Sequence, residues 1–425
     1  MFRFYIETYG CWLNKADSDL MSSLLEDVGG VLVDSPLKAD VAVINTCAVR
    51  AETERKIVRR LKELEAMKVP KLIVAGCLAT YRPALIAKAV PSASLISTAH
   101  PEKVVEAALS QGRVVALDEG PRTYLKLPRF KGGARCIAPI AVGCLGACAY
   151  CVMPLSRGPL RSYPESEVLR YVREAVEAGA KEVYLVAQDA AAYGLDLGST
   201  LPSLLRRVCN LDGEFMVRVG MMEPSTTLRI LDALLDAYSD EKVYKFLHCP
   251  VQTGSNKVLE LINRRYTVED FMEIVEAYRS RFPDGSLATD IMVGLPGEEE
   301  EDFEATLKLL EAIEPDKVHV ARFTPRPLTP AASMDSPPDW VKKERSRKAS
   351  LLVDQLTLKR NKRWVGRTVK VLVTDPGREG TLMARTETYK PVVLPGGREQ
   401  LWRWAEVLVI DAHPYYLKAT SPHRG

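Results

Sequence analysis

Two hydrophobic rhythms alternate along the first 120 residues. Arg3 to Thr8 reads as a strand, and between 14 and 28 the apolar positions Leu20, Leu24, Leu25 and Val28 share one helical face. Val41 to Ile44 is a short apolar run suited to a buried strand, and a charged amphipathic helix spans Ala51 to Met67. Lys71 to Ala75 is a third strand, with a helix from about Pro83. This β–α alternation predicts a doubly wound parallel sheet for an N-terminal domain, residues 1–120. Residues 118–135 mix Gly, Pro and basic residues without periodicity and read as a linker.

The same rhythm resumes over 134–340. Strands are predicted at 137–142, 182–187, 215–219, 243–247, 287–293 and 317–323, with helices such as 165–178 and 201–208 between them. Repeated βα units imply a partial (β/α) barrel, whose chemistry gathers at the carboxyl ends of its strands. After a proline-rich stretch, Trp340 to Lys362 reads as a basic helix. Short strands then alternate at 370–374, 381–386, 390–394 and 406–413, with turns at Pro376-Gly377 and Gly396-Gly397. A small antiparallel β-barrel over 360–420 is expected.

Composition changes this picture little, and charge changes it locally. The 425 residues are 47% hydrophobic and 27% charged, and the net charge is +3, an ordinary globular balance. The opening residues are too soon interrupted by charge for a signal peptide, and no apolar run reaches a membrane span. Nine cysteines without a secretion signal point to a reducing, cytoplasmic setting with metal or catalytic roles. Residues 341–404 hold 16 Lys/Arg against 6 Asp/Glu, a segregation that suggests a polyanion partner. Trp364, Tyr389, Trp402 and Trp404 could stack there on unpaired bases.

The chemistry lies in the cysteines. Cys144, Cys148 and Cys151 can wrap one metal centre from a single loop, with Gly146 and Ala147 letting it curl. Thiolates select zinc, copper(I) or iron–sulfur clusters, and three are one short of a closed site. Either a four-iron cluster keeps one iron open, or zinc borrows a distant ligand, or the triplet is accidental. Cys11, Cys47 and Cys77 close three successive predicted strands. In an open parallel sheet those ends share one edge, so three distant thiols would meet there, again without a fourth. The alternative is three separate core residues. Cys136, Cys209, Cys249 and His319 read as packing.

The spacing of Cys144, Cys148 and Cys151 resembles the signature of the radical S-adenosylmethionine (SAM) enzymes. Thr8-Tyr9-Gly10-Cys11-Trp12-Leu13-Asn14-Lys15-Ala16-Asp17-Ser18, Asn45-Thr46-Cys47-Ala48-Val49-Arg50 and Val74-Ala75-Gly76-Cys77-Leu78-Ala79 resemble three blocks of the methylthiotransferase family. That family joins such a domain to a radical SAM domain and a C-terminal RNA-binding TRAM domain. The resemblance implies two 4Fe-4S clusters, one on Cys144, Cys148 and Cys151 and one on Cys11, Cys47 and Cys77. It implies that SAM is cleaved to a 5′-deoxyadenosyl radical at the first and supplies a methyl group to sulfur at the second. Tyr150 would lie beside the adenine of SAM. The strand-end residues Gln188, Asp189, Glu223, Gln252 and Asp290 would form the SAM surface, although such residues also cap turns. Arg264 and Arg265 either pair with a carboxylate or end a helix in solvent.

Leu328, in Arg326-Pro327-Leu328-Thr329-Pro330, departs from a glycine expected in that family block. The segments 156–164 and 192–198 resemble the archaeal and eukaryotic branch that modifies N6-threonylcarbamoyladenosine in the tRNA anticodon stem-loop. An electron-donor protein is implied, and a membrane is not. Rival readings within the class are isopentenyladenosine and a ribosomal-protein aspartate as substrates. Outside it stand a non-catalytic iron–sulfur RNA sensor and a zinc-dependent RNA-binding module.

Overall fold

The computed structural model describes residues 1–117 and 122–421. The N-terminal layer runs β1 (Phe2–Thr8), α1 (Trp12–Asp27), β2 (Gly30–Leu32), β3 (Val41–Thr46), α2 (Ala51–Ala66) and β4 (Lys71–Gly76). It continues α3 (Cys77–Tyr81), α4 (Pro83–Ala89), β5 (Ser94–Ile96), α5 (Val104–Leu109) and β6 (Val115–Ala116). The strands form one parallel sheet in the order β2-β1-β3-β4-β5-β6. Apolar residues cover both faces: Ile57, Leu61 and Val74 on one, Phe4, Leu25 and Val43 on the other. That is the doubly wound arrangement the alternation predicts. The order reverses between β1 and β3, the place where such sheets open a crevice.

The central unit begins with β7 (Arg135–Pro139), β8 (Ala141–Val142), α6 (Met153–Arg157), β9 (Arg161–Ser162), α7 (Glu165–Glu177) and β10 (Glu182–Val186). Next come α8 (Leu201–Cys209), β11 (Met216–Val219), α9 (Pro224–Leu228), α10 (Leu231–Tyr238) and β12 (Phe246–His248). It ends with α11 (Asn256–Leu261), α12 (Val268–Arg281), β13 (Ser286–Val293), α13 (Glu300–Ile313) and β14 (Lys317–Arg322). The parallel sheets β7-β10-β11 and β12-β13-β14 are joined by a bridge between Val217 and Val243. Together they make an open (β/α) barrel. The predicted strand 137–142 breaks after Pro139, and its second part turns away to pair with β9.

Helix α14 (Asp339–Lys362) leads to β15 (Thr368–Pro376), β16 (Thr381–Thr386), β17 (Pro391–Pro395), β18 (Trp404–Ala412) and β19 (Leu417–Thr420). These close into a barrel that is antiparallel except for the β17–β19 pair. The tip between β16 and β17 enters the underside of the central barrel. There Tyr389 meets Tyr184, Tyr244 and Phe246, with ring centres 6.2, 4.9 and 4.9 Å away.

That docking takes up half of the cations of the C-terminal region and leaves the other half for a polyanion partner. Eight of its sixteen cations form ion pairs, most of them with carboxylates of the central unit; Arg345 takes Glu298 at 2.6 Å and Arg360 takes Asp316 at 3.0 Å. The aromatics follow the same logic. Trp364 is buried in the small barrel, Tyr389 and Trp404 pack on the central one, and Trp402 lies under Arg135. They serve the interface between modules, not an open stacking platform.

The predicted linker is packed rather than loose, apart from residues 118–121, which lie outside the described residues. Leu127 is buried, Arg122 pairs with Asp17 on α1 at 2.7 Å, and Lys131 pairs with Glu26.

Candidate functional site

Glycine shapes both cysteine-bearing edges. Gly143 ends β8 with φ +77°, and a Cβ there would stand 2.0 Å from the Pro159 carbonyl oxygen. Only glycine permits that turn into the loop 144–151. Around Gly146 the sulfurs of Cys144 and Cys148 curl to one side, 3.3 and 3.7 Å from where a Cβ would be. The Gly146 amide points at Cys144 Sγ (3.2 Å) and the Met153 amide at Cys151 Sγ (3.4 Å). Arg264 Nη1 lies 3.2 Å from Cys148 Sγ, while its Nη2 donates to the Pro250 carbonyl at 3.0 Å. Arg264 is therefore no solvated helix terminus; its neighbour Arg265 is the exposed one. Burial pushes the Cys144 thiol up to about 11 and Cys151 up to about 12, and each feels the neighbouring sulfurs. Such a nest of partly buried thiols favours protons in isolation and thiolate once a soft metal core binds.

The second trio comes from three strands. Cys11 caps α1 just beyond β1, Cys47 follows β3 directly, and Cys77 opens α3 at the end of β4. Gly76, at φ +92°, makes the last turn; a Cβ would meet Asn45 Oδ1 at 2.2 Å. Polar side chains tie the loops together. Asn14 Nδ2 donates to the Thr46 carbonyl (3.0 Å), Asn45 Nδ2 to the Asn14 carbonyl (2.8 Å), and Thr46 Oγ1 to the Ala75 carbonyl (2.6 Å). Burial pushes the Cys47 thiol up to about 11, with the charges of Cys77 and Cys11 adding.

The two trios are neighbours. Val152 and Met153, immediately after Cys151, pack in the same cluster as Cys77 and Leu78. Arg157, at the end of α6, points Nε at Cys77 Sγ (3.3 Å) and Nη1 at Asp17 (2.6 Å). Asp17 is buried and also held by Arg122. Burial alone would raise its pKa, and the two guanidiniums together bring it below the ordinary carboxylate value. Arg326 crosses the same boundary lower down, donating to the Ala48 carbonyl at 2.9 Å and pairing with Glu54. These links between distant segments escape sequence reasoning, although Asp17 and Arg157 lie inside the blocks that carry the resemblance.

The remaining expected residues divide by what engages them. Asp189 is buried; its Oδ1 accepts from the amides of Ala191 (3.1 Å) and Glu223 (3.0 Å), and Oδ2 from Thr226 Oγ1 (2.8 Å). Burial pushes its pKa up to about 6. Glu223 caps α9 through Thr226 and lies 4.0 Å from Arg264. Both acids thus order strand-end loops. Gln252 sits at φ +71° and bridges β13 through its backbone. Gln188 keeps a buried Oε1 with no hydrogen-bond partner among the described residues. Tyr150 packs on the central core beside Arg264, its pKa raised by burial.

Asp290 Oδ1 accepts from His248 Nε2 at 3.0 Å, and His319 completes a three-residue group. His319 is exposed rather than a core residue. It pairs across the β13–β14 ladder with Asp290. Cys136, Cys209 and Cys249 are buried among core side chains. Leu328 takes the place of the expected glycine at φ +63°.

The donor sets fit iron–sulfur centres. Each trio gathers three thiols at one loop or one sheet edge, with a guanidinium beside one sulfur to balance negative charge, and Gln188 keeps an unpartnered acceptor among the described residues near the strand ends.

Comparison with known proteins puts a class on this arrangement. Residues 139–310 match the Radical SAM superfamily, 3–97 the uncharacterized protein family UPF0004, and 362–421 the TRAM domain. Among solved structures, a radical S-adenosylmethionine methyltransferase from Kitasatospora setae matches with a TM-score of 0.59. It covers 78% of this chain and 77% of that one at 15% identity, a likeness of fold.

Two curated relatives are more specific. A probable threonylcarbamoyladenosine tRNA methylthiotransferase of Pyrococcus horikoshii is 42% identical over 96% of this chain and 97% of its own. The threonylcarbamoyladenosine tRNA methylthiotransferase of Xenopus laevis is 33% identical over 98% of this chain and 76% of its own. The chain belongs to the methylthiotransferase family of radical SAM enzymes, and with it comes use of an iron–sulfur cluster and SAM. No helix among the described residues is long and apolar enough to cross a membrane.

Proposed function

We propose that this enzyme converts N6-threonylcarbamoyladenosine in the tRNA anticodon stem-loop to its 2-methylthio derivative, at the purine C2. The observation that carries the reading is the pair of adjacent cysteine trios, each one ligand short of closure. In it, Cys144, Cys148 and Cys151 hold one 4Fe-4S cluster and Cys11, Cys47 and Cys77 a second. When loaded, these clusters and SAM supply the hydrogen-abstracting radical and the methylthio sulfur for a C–H bond beyond reach of acid–base chemistry. Every other task falls to the protein.

Arg264 and Arg157 offset negative charge at Cys148 and Cys77. Tyr150, Gln188, Gln252 and Asp290 line the SAM surface, with the unpartnered Gln188 oxygen as one contact; Asp189 and Glu223 hold the strand-end loops in register. The N-terminal layer covers the open side of the barrel through Arg326, Glu54 and Arg157, excluding water from the reaction space. An electron-donor protein reduces the clusters, and the work is done on cytoplasmic tRNA.

Relatives named for another substrate frame the alternative. A tRNA-2-methylthio-N(6)-dimethylallyladenosine synthase of Moorella thermoacetica is 34% identical over 98% of this chain. Nucleoside mass spectrometry of tRNA from a deletion strain separates the two. Loss of the methylthio group from threonylcarbamoyladenosine is expected; its persistence, with loss from dimethylallyladenosine, would reassign the substrate. Reconstituted protein should hold about eight irons and no zinc, and Cys77→Ala should retain about four, as two four-iron clusters require. Release of 5′-deoxyadenosine excludes a sensor.

A further inference from the structure

The floor of the barrel lumen gathers charge that the reading above leaves unused. Arg218, on β11, rests among three rings, its guanidinium carbon 5.5, 5.1 and 5.3 Å from the centres of Tyr184, Phe246 and Tyr389. Arg385 arrives from β16 of the small barrel and stands 4.7 Å from that same Tyr389 ring. Lys317 opens β14 beside them. The residue is exposed as a whole yet ringed by enough protein that desolvation, with the charges of Arg385 and Arg218, lowers its pKa. Open and hemmed in at once is the mark of a concave chamber.

The acids that these cations sense among the described residues are already engaged: Asp375, on which the charge of Arg385 acts, is held by Arg135 at 3.0 Å. The Nε atoms of Arg218 and Arg385 are buried without a hydrogen-bond partner among the described residues. The carboxylate that Lys317 senses, Asp290, is already engaged by His248. Stacking on aromatic rings accounts for Arg218 alone. It does not account for Lys317 and Arg385, from two other strands and two domains, converging on it. Like charges crowded in a partly desolvated space repel, and an anionic ligand removes the penalty. The chamber lies directly beneath the strand ends. Arg218 is two residues below Gly220, ~7 Å at the rise of a strand, so a substituent on a base held at the rim would hang toward it.

We infer that this floor binds the carboxylate of the threonylcarbamoyl group, with Arg218, Lys317 and Arg385 as specificity-determining residues. The inference rests on the substrate proposed above and adds how that substrate is told apart. Guanidinium forks suit a planar carboxylate. A dimethylallyl group offers nothing to three desolvated cations and would leave them unpaired.

The test is equilibrium binding of the full chain, at fixed salt, to anticodon stem-loop RNAs. Three RNAs are compared, carrying threonylcarbamoyladenosine, its carboxyl methyl ester, or plain adenosine. The native protein should prefer acid to ester by about 10- to 100-fold, the range for hydrogen bonds to a charged group. In Arg218→Gln, Lys317→Gln and Arg385→Gln that ratio should fall toward one, and Arg218→Lys should restore part of it. Equal weakening toward all three RNAs would assign the cations to backbone phosphates or to folding and overturn the inference. An unchanged acid-to-ester ratio would overturn it as well. Turnover keeps the two claims apart. If the native enzyme fails to methylthiolate the acid-bearing RNA, the substrate reading falls; if it succeeds while the variants keep the ratio, only this inference falls.

Discussion

Asp316 joins the central unit to α14 and the small barrel through one carboxylate. Its oxygens meet Arg279 of α12 at 2.9 Å, Arg360 of α14 at 3.0 Å and Lys390 of the small barrel at 2.7 Å, and its own side chain is 4% exposed. Its Oδ2 also accepts from the Leu287 amide at 2.9 Å. Burial alone would raise its pKa, but the three cations hold it down to about 2. Lys390 in turn is pulled below its ordinary value, since it is buried and shares the anion with two guanidiniums.

A carboxyl moved from 3.8 to about 2 favours its charged form by roughly 2.5 kcal/mol. Because the folded value is depressed, that contribution is complete above about pH 4 and is lost as pH falls from 3.8 through about 2. Asp316→Asn goes further and leaves three buried cations around a neutral group, a loss of about 3–5 kcal/mol. Urea unfolding followed by tryptophan emission reads this out, since Trp364 sits 5.9 Å from the Lys390 ammonium. At pH 7 the variant should unfold far earlier than the native chain, and the gap should narrow as pH approaches 2. A variant within about 1 kcal/mol at pH 7, or a gap that does not narrow in acid, would refute the reasoning.

Three further outcomes are expected. Leu328, 76% exposed at φ +63°, strains the backbone without burying its side chain. Leu328→Gly should stabilise by about 1 kcal/mol in a thermal melt, and a loss would show that the leucine has an unrecognised contact. Asp189 titrates near 6 in the folded chain, so the native state favours its protonated form. Stability present below about pH 4 should drain away as pH rises through 6, by roughly 3 kcal/mol at most; Asp189→Asn should gain on the native chain across that window, and a flat difference would contradict the burial argument. Asp17→Asn strands Arg157 and Arg122, both nearly fully buried, and should cost about 3–5 kcal/mol. Limited proteolysis between residues 122 and 134 should accelerate, and unchanged cleavage would detach the segment from this pairing.

Local patterns carried most of the architecture. The three cysteine-ending strands were legible because parallel topology alone puts their ends on one edge, whatever the side chains between them do. The single-loop trio was legible from spacing. Aromatic content misled in the C-terminal region, and charge told only half the story there, because composition records how many cations and rings a segment has, not whom they face. Glu298, Glu304, Glu314 and Asp316 precede that region in the chain, and only folding shows that they neutralise α14. His319 failed for a related reason: in a barrel that does not close, a strand residue meets water instead of a core. Gln188 and Asp189 are adjacent in sequence, yet one is saturated with partners and the other has an orphaned oxygen, a distinction no motif encodes.

The β16–β17 tip sits where a closed barrel would have its own plug. A gene fusion that exchanged this nucleic-acid module for a relative's would therefore transplant Tyr389 and Arg385 along with it. Chimeras cut within α14 would inherit a foreign base to the reaction vessel, and with it a different taste in nucleosides. Module shuffling, usually a way to redirect an enzyme without touching its chemistry, is here a way to rebuild the pocket from beneath.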